Sequence, residues 1–172
     1  KGEYYNNRGG CYSNLNDFSH ALEDFNKAVE LMPGNGKAYL NRSIMHFSLG
    51  HITPAVNDLE QAYKLKTGDI PKGYYDQLNI AFQNEIISTY TVKIDQNPAE
   101  AINYNIRGVA YFNLKNLSKA LIDYNKAIEL DPKNVEFLYN RFVLYSQVND
   151  RVNAMLDQQQ LIKLGFKGKK SN

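Results

Sequence analysis

Histidine, cysteine and acidic side chains are the groups in this chain that could support acid–base, nucleophilic or metal chemistry. His46 and His51 lie five positions apart, which does not place them on one helix face, and no carboxylate or cysteine is grouped with them. The 172 residues contain no glycine-rich phosphate loop, no GxSxG motif and no HExxH motif. We therefore expect no enzymatic activity, no metal site and no cofactor. We expect each of the two histidines to be a packed or exposed side chain and not a metal ligand.

Arginine and aspartate recur together at a fixed distance. The four pairs, each separated by sixteen residues, are Arg8 with Asp24, Arg42 with Asp58, Arg107 with Asp123, and Arg141 with Asp157. A planar guanidinium can donate two hydrogen bonds to one carboxylate. We infer four structural ion pairs that join the first helix of a repeat to a second helix, in the same or the adjoining repeat.

These pairs belong to a longer internal repeat. Seven residues recur, with substitutions, 34 positions later: Tyr5, Arg8, Gly9, Tyr12, Ala21, Phe25 and Ala28. The segment Asn105–Pro132 is the clearest copy, because its second half aligns with Asn16–Pro33. A small residue eight places into each unit, an aromatic three further on, and then alanine, aromatic, alanine and proline resemble the tetratricopeptide repeat (TPR).

The resemblance implies an all-α fold, a right-handed superhelical solenoid of stacked antiparallel helix pairs in which each pair buries its apolar face against its neighbours. We expect a single array over residues 1–172 with about five units. The expected units are residues 2–35, 36–69, 70–100, 101–134 and 135–166, followed by a basic tail at residues 167–172.

The third unit, residues 70–100, is degenerate. Counting forward from the second unit puts Gln77 at the small position, whereas counting back from Pro98 puts Ile86 at the first alanine position. The two registers disagree by three residues, and we favour a helix pair with a shortened turn near residues 83 and 84. The alternative is one long helix, because five apolar or aromatic residues follow one another at spacings of four without glycine or proline: Leu78, Phe82, Ile86, Tyr90 and Ile94.

The composition and net charge limit the kinds of partner and the cellular compartment that we expect for this chain. The formal net charge of +2 is too close to neutral to favour a nucleic acid or an anionic membrane, and no apolar run is long enough to insert into a bilayer. Cys11 is the single cysteine, which excludes a disulfide framework and favours the reducing cytoplasm, and we expect this thiol to be buried. Because the chain starts at Lys1, we expect an upstream segment to have been removed, and export remains open.

In the TPR family the first helices line a concave groove, and the resemblance implies the ligand-binding residues there. They are Asn7, Asn41, Ile44, Phe47, Asn105, Val109, Phe112, Tyr139 and Asn140. Asn7, Asn41 and Asn140 share one repeat position, similar to the asparagine ladder with which some TPR proteins bind the backbone of an extended peptide. The alternative is that asparagine simply precedes arginine in this type of repeat.

The chaperone-binding members of the family hold a terminal carboxylate with lysine, arginine and asparagine at set groove positions. Here Asn6 stands where the lysine is needed and Gly10 where an asparagine is needed, so only Asn41 matches. We therefore expect no carboxylate clamp.

Two functions remain. The first is a non-enzymatic protein–protein interaction scaffold that binds a partner peptide or helix in its concave groove. The alternative is an assembly or regulatory module of a larger protein, acting through the ends or the convex face of the array. We expect the face with Ala154, Leu161 and Leu164 to be partly exposed, which would permit self-association through an uncapped C-terminal helix.

Overall fold

The computed structural model describes residues 1–68 and 70–166, and the regular secondary structure within them is α-helical. The helices are α1 (Gly2–Asn14), α2 (Phe18–Leu31), α3 (Gly36–Ser48), α4 (Ile52–Lys64), α5 (Tyr74–Gln96), α6 (Ala101–Asn113), α7 (Leu117–Leu130), α8 (Val135–Gln147) and α9 (Arg151–Lys163). They fall into two compact units, unit 1 (Lys1–Phe82) and unit 2 (Gln83–Asn172). The predicted all-α helical-repeat class is confirmed. The expected basic tail lies outside the described residues.

A left-handed residue makes the turn within each of the pairs α1–α2, α3–α4, α6–α7 and α8–α9. These turn residues are Asn16, Gly50, Lys115 and Asn149, with φ values of 59°, 76°, 61° and 60°. In three of the four turns the next residue caps the second helix, since the side chains of Asp17, Asn116 and Asp150 accept hydrogen bonds from backbone amides three residues on. Each such cap satisfies one of the amides that a helix start leaves without a partner.

Small residues let the paired helices approach closely. Six alanines on the second helices are 0% exposed: Ala21, Ala28, Ala55, Ala62, Ala120 and Ala127. On the first helices, a Cβ atom added at Gly9 would lie 2.9 Å from Cε1 of Phe25, and one added at Gly108 would lie 2.8 Å from Cε1 of Tyr124. These contacts are shorter than real Cβ contacts, so the backbone of the first helix lies directly on the aromatic ring of the second.

The helix pair that we favoured for residues 70–100 is wrong, because α5 is one helix of 23 residues. Among the described residues, none between Tyr74 and Gln96 has a positive φ, so the turn that divides the other pairs is missing. The two ends of α5 follow the two conflicting registers. Tyr74 and Leu78 join the core formed by α3 and α4 in unit 1, and in unit 2 Ile94 is buried at 7% exposure.

The expected exposure of Ala154 and Leu161 is also wrong. Both are buried, at 8% and 2% exposure, and Leu161 shares a cluster with Phe137 and Leu138, with Leu164 packed against it. The reason is that α9 packs on α8 with the same face that the other second helices turn to their first helices. The exposed apolar side chains of α9 lie elsewhere, at Val152, Met155, Leu156 and Ile162.

Candidate functional site

Asparagine side chains connect neighbouring first helices in both units. In unit 1, Nδ2 of Asn41 on α3 donates to Oδ1 of Asn6 on α1 at 3.0 Å. In unit 2, Nδ2 of Asn140 on α8 donates to Oδ1 of Asn105 on α6 at 2.9 Å. Both bonds join residues 35 apart, so this bridge recurs with the repeat.

These bridges change the roles of the predicted groove residues. Asn105 is only 1% exposed, so it is placed to hold Asn140 and not to contact a ligand directly. Asn41 and Asn140 are partly exposed, and one amide proton of each is already used by the bridge. Asn7 is exposed, and its side chain makes no hydrogen bond within the described part of the chain. The asparagines at one repeat position therefore do not form a uniform row of free amides.

An open cavity of about 230 Å³ lies on the surface formed by the first helices of unit 1. It is lined by Gly10, Ser13, Asn14, Phe25, Asn41, Ile44 and Met45. No atom lies within 4 Å of the position that a Cβ atom at Gly10 would take, so this glycine leaves the space open. Sequence reasoning named Asn41 and Ile44 as ligand-binding residues but did not anticipate that Phe25 and Met45 contribute to the same cavity.

On the corresponding surface of unit 2, larger side chains occupy the space that is open in unit 1. Val109 stands at the repeat position of Gly10 and, with Phe112, packs against the cluster of Ala120, Tyr124 and Leu144. Tyr139 is 38% exposed, and its ring centroid lies 5.4 Å from that of Phe166. Aromatic and branched side chains thus occupy the places that glycine and serine leave free in unit 1.

The four arginines each lie against the aspartate sixteen residues later. Nε and Nη2 donate to the two carboxylate oxygens, at 2.7 Å for Arg8 and Arg42, 2.8 Å for Arg107, and 2.9 and 2.6 Å for Arg141. All are well inside the 4 Å limit for an ion pair. Each bond joins the two helices of one pair. Hydrogen bonding to the carboxylate raises the pKa of all four guanidinium groups, so these arginines stay charged.

The remaining nitrogen, Nη1, reaches back to the preceding helix. Arg42 donates from Nη1 to Oδ1 of Asn26 on α2 at 3.2 Å, and Arg141 donates to Oδ1 of Asn125 on α7 at 2.8 Å. Arg107 donates likewise to Oγ1 of Thr91 on α5 at 3.1 Å. One guanidinium therefore joins three helices, a feature that the sequence pairs did not reveal.

The two histidines of the second repeat are closer than their spacing suggested. Nδ1 of His46 lies 3.4 Å from Nδ1 of His51, and Nε2 of His46 lies 3.9 Å from Oδ2 of Asp58. Our expectation that no carboxylate accompanies them is wrong, because Asp58 on α4 lies beside His46 within the helix pair. The turn at Gly50 brings His51 back over the end of α3. Burial lowers the pKa of His46, which disfavours its charged form. Across residues 1–68 and 70–166, no group of three potential metal ligands is present.

Cys11 is exposed on α1, so the expectation of a buried thiol is wrong. It stands at the repeat position of Met45 and Leu144, which the preceding helix covers in their own repeats.

None of the helices in the described ranges has the combined length and apolar character needed to cross a bilayer.

The geometry defines a class of protein: an all-α repeat protein whose inner surfaces offer amide and apolar groups. A family model described as Tetratricopeptide repeat matches residues 2–35 and 100–134, and a second model of the same description matches residues 123–162. The chain belongs to the tetratricopeptide repeat family. Proteins of this family mediate protein–protein interactions and are in general non-enzymatic modules.

Several individual proteins are similar to the chain. Tetratricopeptide repeat protein 6 of Homo sapiens is 29% identical over 164 residues, a match that covers 91% of this chain and 31% of that protein. Heat shock protein STI1 of Saccharomyces cerevisiae is 28% identical over 131 residues, covering 76% of this chain and 17% of that protein. The chain thus spans less than a third of either relative. A solved structure of MamA from Desulfovibrio magneticus RS-1 is 17% identical with a TM-score of 0.48, covering 98% of this chain and 97% of that one.

Proposed function

We propose that this chain is a non-enzymatic interaction module that captures a partner peptide or helix on the surface formed by α1 and α3 in unit 1. The cavity next to Gly10 is the observation that carries this proposal. Its volume of about 230 Å³ is below the range of about 300–1,000 Å³ of pockets for drug-sized ligands. The space suits one amino-acid side chain better than a cofactor or a metabolite.

The lining of the cavity indicates the chemistry of the ligand. Phe25, Ile44 and Met45 contribute apolar surface, whereas Asn14 and Asn41 contribute amides. An amide offers both a donor and an acceptor, as a peptide unit does, so these groups suit the backbone of a bound peptide. We infer a ligand that inserts one aliphatic side chain into the cavity and aligns its backbone with the amides.

Asn6 gives Asn41 a defined orientation. Its Oδ1 accepts one amide proton of Asn41 at 3.0 Å, and the remaining donor and the carbonyl oxygen of Asn41 are left for a ligand. A side chain that is held in place before binding loses less conformational entropy when the ligand arrives. Asn6 is therefore a positioning residue for this surface.

The absence of positive charge from the cavity lining argues against recognition of a terminal carboxylate. A carboxylate loses its hydration on binding and needs a cation or several donors in return. We accordingly expect peptides with a free acidic C-terminus to bind no better than the same peptides with an amidated C-terminus.

The experiment is a selection from a displayed library of random peptides against this chain, followed by calorimetric titration of the selected peptides. Gly10→Leu places an aliphatic side chain at the cavity, at a position where an added Cβ atom meets no atom within 4 Å. We expect it to weaken binding of the selected peptides by at least roughly tenfold, a loss of about 1.4 kcal/mol. Ser19→Leu is the matched control, because Ser19 is exposed on α2 and outside the cavity. Unchanged affinity in Gly10→Leu, or an equal loss in Ser19→Leu, would contradict the proposed site.

The second candidate function is an assembly role through the ends of the array. The exposed Met155 and Ile162 on α9 favour it, at 55% and 64% exposure. Two variants separate the two functions: Asn41→Ala alters the cavity, and the combination of Met155→Lys with Ile162→Lys alters the exposed face of α9. Loss of peptide capture in Asn41→Ala with unchanged self-association supports the surface of α1 and α3. Loss of self-association in the α9 variant with unchanged peptide capture supports the ends.

A further inference from the structure

Two histidines in the α3–α4 pair replace residues that have fixed roles in the other helix pairs. His46 stands at the repeat position of three tyrosines on the first helices: Tyr12, Tyr111 and Tyr145. His51 stands at the position of the three residues that cap the second helices: Asp17, Asn116 and Asp150. The side chain of His51 makes no such cap on α4. Its ring is thus not used by the helix that it precedes.

The turn between α3 and α4 fixes how far apart these two positions lie. The backbone amide of His51 donates to the backbone oxygen of His46 at 2.8 Å. The same bond, at 2.9 Å, closes the other three turns: Asp17 to Tyr12, Asn116 to Tyr111, and Asp150 to Tyr145. Because this bond belongs to the turn itself, the two imidazoles are brought together before any ligand arrives.

The facing ring nitrogens have the separation of two ligands on one metal ion. Nδ1 of His46 lies 3.4 Å from Nδ1 of His51. Zinc binds histidine nitrogen at about 2.0–2.1 Å with tetrahedral angles, so two such nitrogens on one ion lie about 3.3–3.4 Å apart. The ring centroids are 5.6 Å apart, so the nitrogens and not the ring faces are directed at each other. A small rotation of each ring aims both lone pairs at one ion.

Asp58 lies on the far side of the His46 ring. Its Oδ2 is 3.9 Å from Nε2 of His46. This distance is longer than a hydrogen bond, but the negative charge favours the proton on Nε2 and leaves Nδ1 free to accept. A carboxylate behind a histidine ligand is a recurrent arrangement at zinc sites. Arg42 binds both oxygens of Asp58 at 2.7 Å, so the carboxylate balances the guanidinium charge and is not itself a ligand.

The access and the donor atoms of this site determine which ions suit it. His51 is exposed, and the side chain of His46 is 16% exposed, so an ion can enter from solvent. Imidazole nitrogen suits Zn²⁺, Cu²⁺ and Ni²⁺, whereas Mg²⁺ and Ca²⁺ prefer oxygen ligands. Two protein nitrogens leave two tetrahedral positions for water. A structural zinc site has four protein ligands, so we expect this one to bind zinc reversibly.

We propose that Nδ1 of His46 and Nδ1 of His51 together bind one Zn²⁺ ion, with water at its remaining positions. Both neutral rings then carry their single proton on Nε2, and the contact between the rings is replaced by two zinc–nitrogen bonds. The ion joins the end of α3 to the start of α4 and so stabilises this helix pair. Helical spacing predicted no metal ligand here because it does not describe residues on either side of a turn. This inference does not depend on the cavity in unit 1.

The first test is thermal unfolding of the chain over a series of zinc chloride concentrations. We expect the unfolding midpoint to rise with zinc, because a ligand that prefers the folded state stabilises it. Magnesium chloride at the same concentrations should leave the midpoint unchanged.

Two variants use residues that the repeat already carries at these positions, so we expect both to fold. His46→Tyr introduces the residue found at Tyr145, and His51→Asn introduces the residue found at Asn116. Each variant should lose the zinc-dependent shift, and calorimetric titration should show zinc binding weakened by at least roughly tenfold. His20→Gln is the matched control, because it removes the third histidine of the chain and should keep the shift.

Proton NMR of the unaltered chain gives a measurement that requires no variant to fold. As zinc is added, we expect the imidazole signals of His46 and His51 to move together while those of His20 stay in place. The proposal is wrong if zinc leaves the unfolding midpoint of the unaltered chain unchanged. It is equally wrong if His46→Tyr or His51→Asn keeps the full shift, or if His20 responds to zinc as the other two histidines do.

Discussion

Arg107 holds Asp123 with two parallel hydrogen bonds of 2.8 Å, from Nε and Nη2 to the two carboxylate oxygens. The aspartate side chain is 3% exposed and that of the arginine 18% exposed, so most of the pair is removed from water. The remaining Nη1 binds Thr91 on the helix before. The pair therefore fixes α6 against two helices at once.

Removing one member of this pair should destabilise unit 2. We expect Asp123→Ala to lower the free energy of unfolding by about 3–5 kcal/mol, because it leaves a buried guanidinium without its counter-ion. Asp24→Ala should lower the free energy of unfolding by less, since the Arg8 side chain is 42% exposed and can be hydrated. Urea unfolding followed by circular dichroism measures both. The double variant Arg107→Met with Asp123→Leu is the control, because replacing both charges by apolar groups should restore most of the loss.

Adjacent glycines on α1 should respond in opposite directions to the same substitution. Gly9→Ala places a methyl group 2.9 Å from Cε1 of Phe25 and 3.2 Å from the backbone oxygen of Ala21, so we expect a loss of about 1–3 kcal/mol. Gly10→Ala meets no atom within 4 Å, and the higher helix propensity of alanine should add up to about 1 kcal/mol. Thermal unfolding midpoints of the two variants give the comparison. Equal shifts would mean that helix propensity outweighs packing at Gly9.

A pair of buried hydroxyls ties the start of α5 to α3 and α4. Oγ of Ser43 donates to the backbone oxygen of Ala55 at 2.6 Å and lies 2.8 Å from the hydroxyl of Tyr74, whose pKa is raised by burial. We expect Tyr74→Phe to cost about 0.5–1.5 kcal/mol, because Ser43 keeps its backbone acceptor. Ser43→Ala should cost about 1–3 kcal/mol, because the buried tyrosine hydroxyl loses its partner. A double-mutant cycle by urea unfolding tests the coupling, and strictly additive effects would exclude it.

The histidines on α2 and α3 should titrate on opposite sides of the ordinary value of about 6.5. The hydrogen bond that the imidazole of His20 donates to the carboxylate of Asp17 raises the pKa of His20, whereas burial lowers the pKa of His46 despite the nearby Asp58. Charged Arg42 and the neighbouring His51 also act to lower the pKa of His46. Proton NMR titration measures both pKa values. The variants His20→Gln and His46→Gln each remove the signal of one histidine and so show which signal belongs to which residue.

The two shifts have opposite consequences for stability. His20 contributes stability that is present below its unfolded pKa and is lost as the pH rises through its folded pKa. For His46 the contribution is present above the unfolded pKa and is lost as the pH falls toward the folded pKa. His20→Gln should therefore reduce stability at acidic pH, whereas His46→Gln should flatten the loss of stability on acidification. Coincident titration of the two residues would contradict at least one of the two shifts.

Much of the fold follows from local features of the chain. The 34-residue repeat identifies Gly9 and Gly108 as equivalent small positions, and residues spaced by three and four around them share one face of the first helix. Capping residues such as Asp17 and Asn116 mark where the second helices begin. These signals act over a few residues, so the four helix pairs and the spacing of each arginine from its aspartate could be read directly from the printed sequence.

Other features depend on contacts between residues that are distant along the chain. The periodic pattern allowed two registers for residues 70–100. The start of α5 follows the first register, since Tyr74 packs in unit 1. The end of α5 follows the second register, since Thr91 binds Arg107 in unit 2. Asn105 is covered although its position suggested a ligand contact, and His51 reaches His46 through a turn that helical spacing does not describe. Register, burial and the third bond of each arginine are set by which helix faces come together in space, and a repeat period specifies the faces but not their partners.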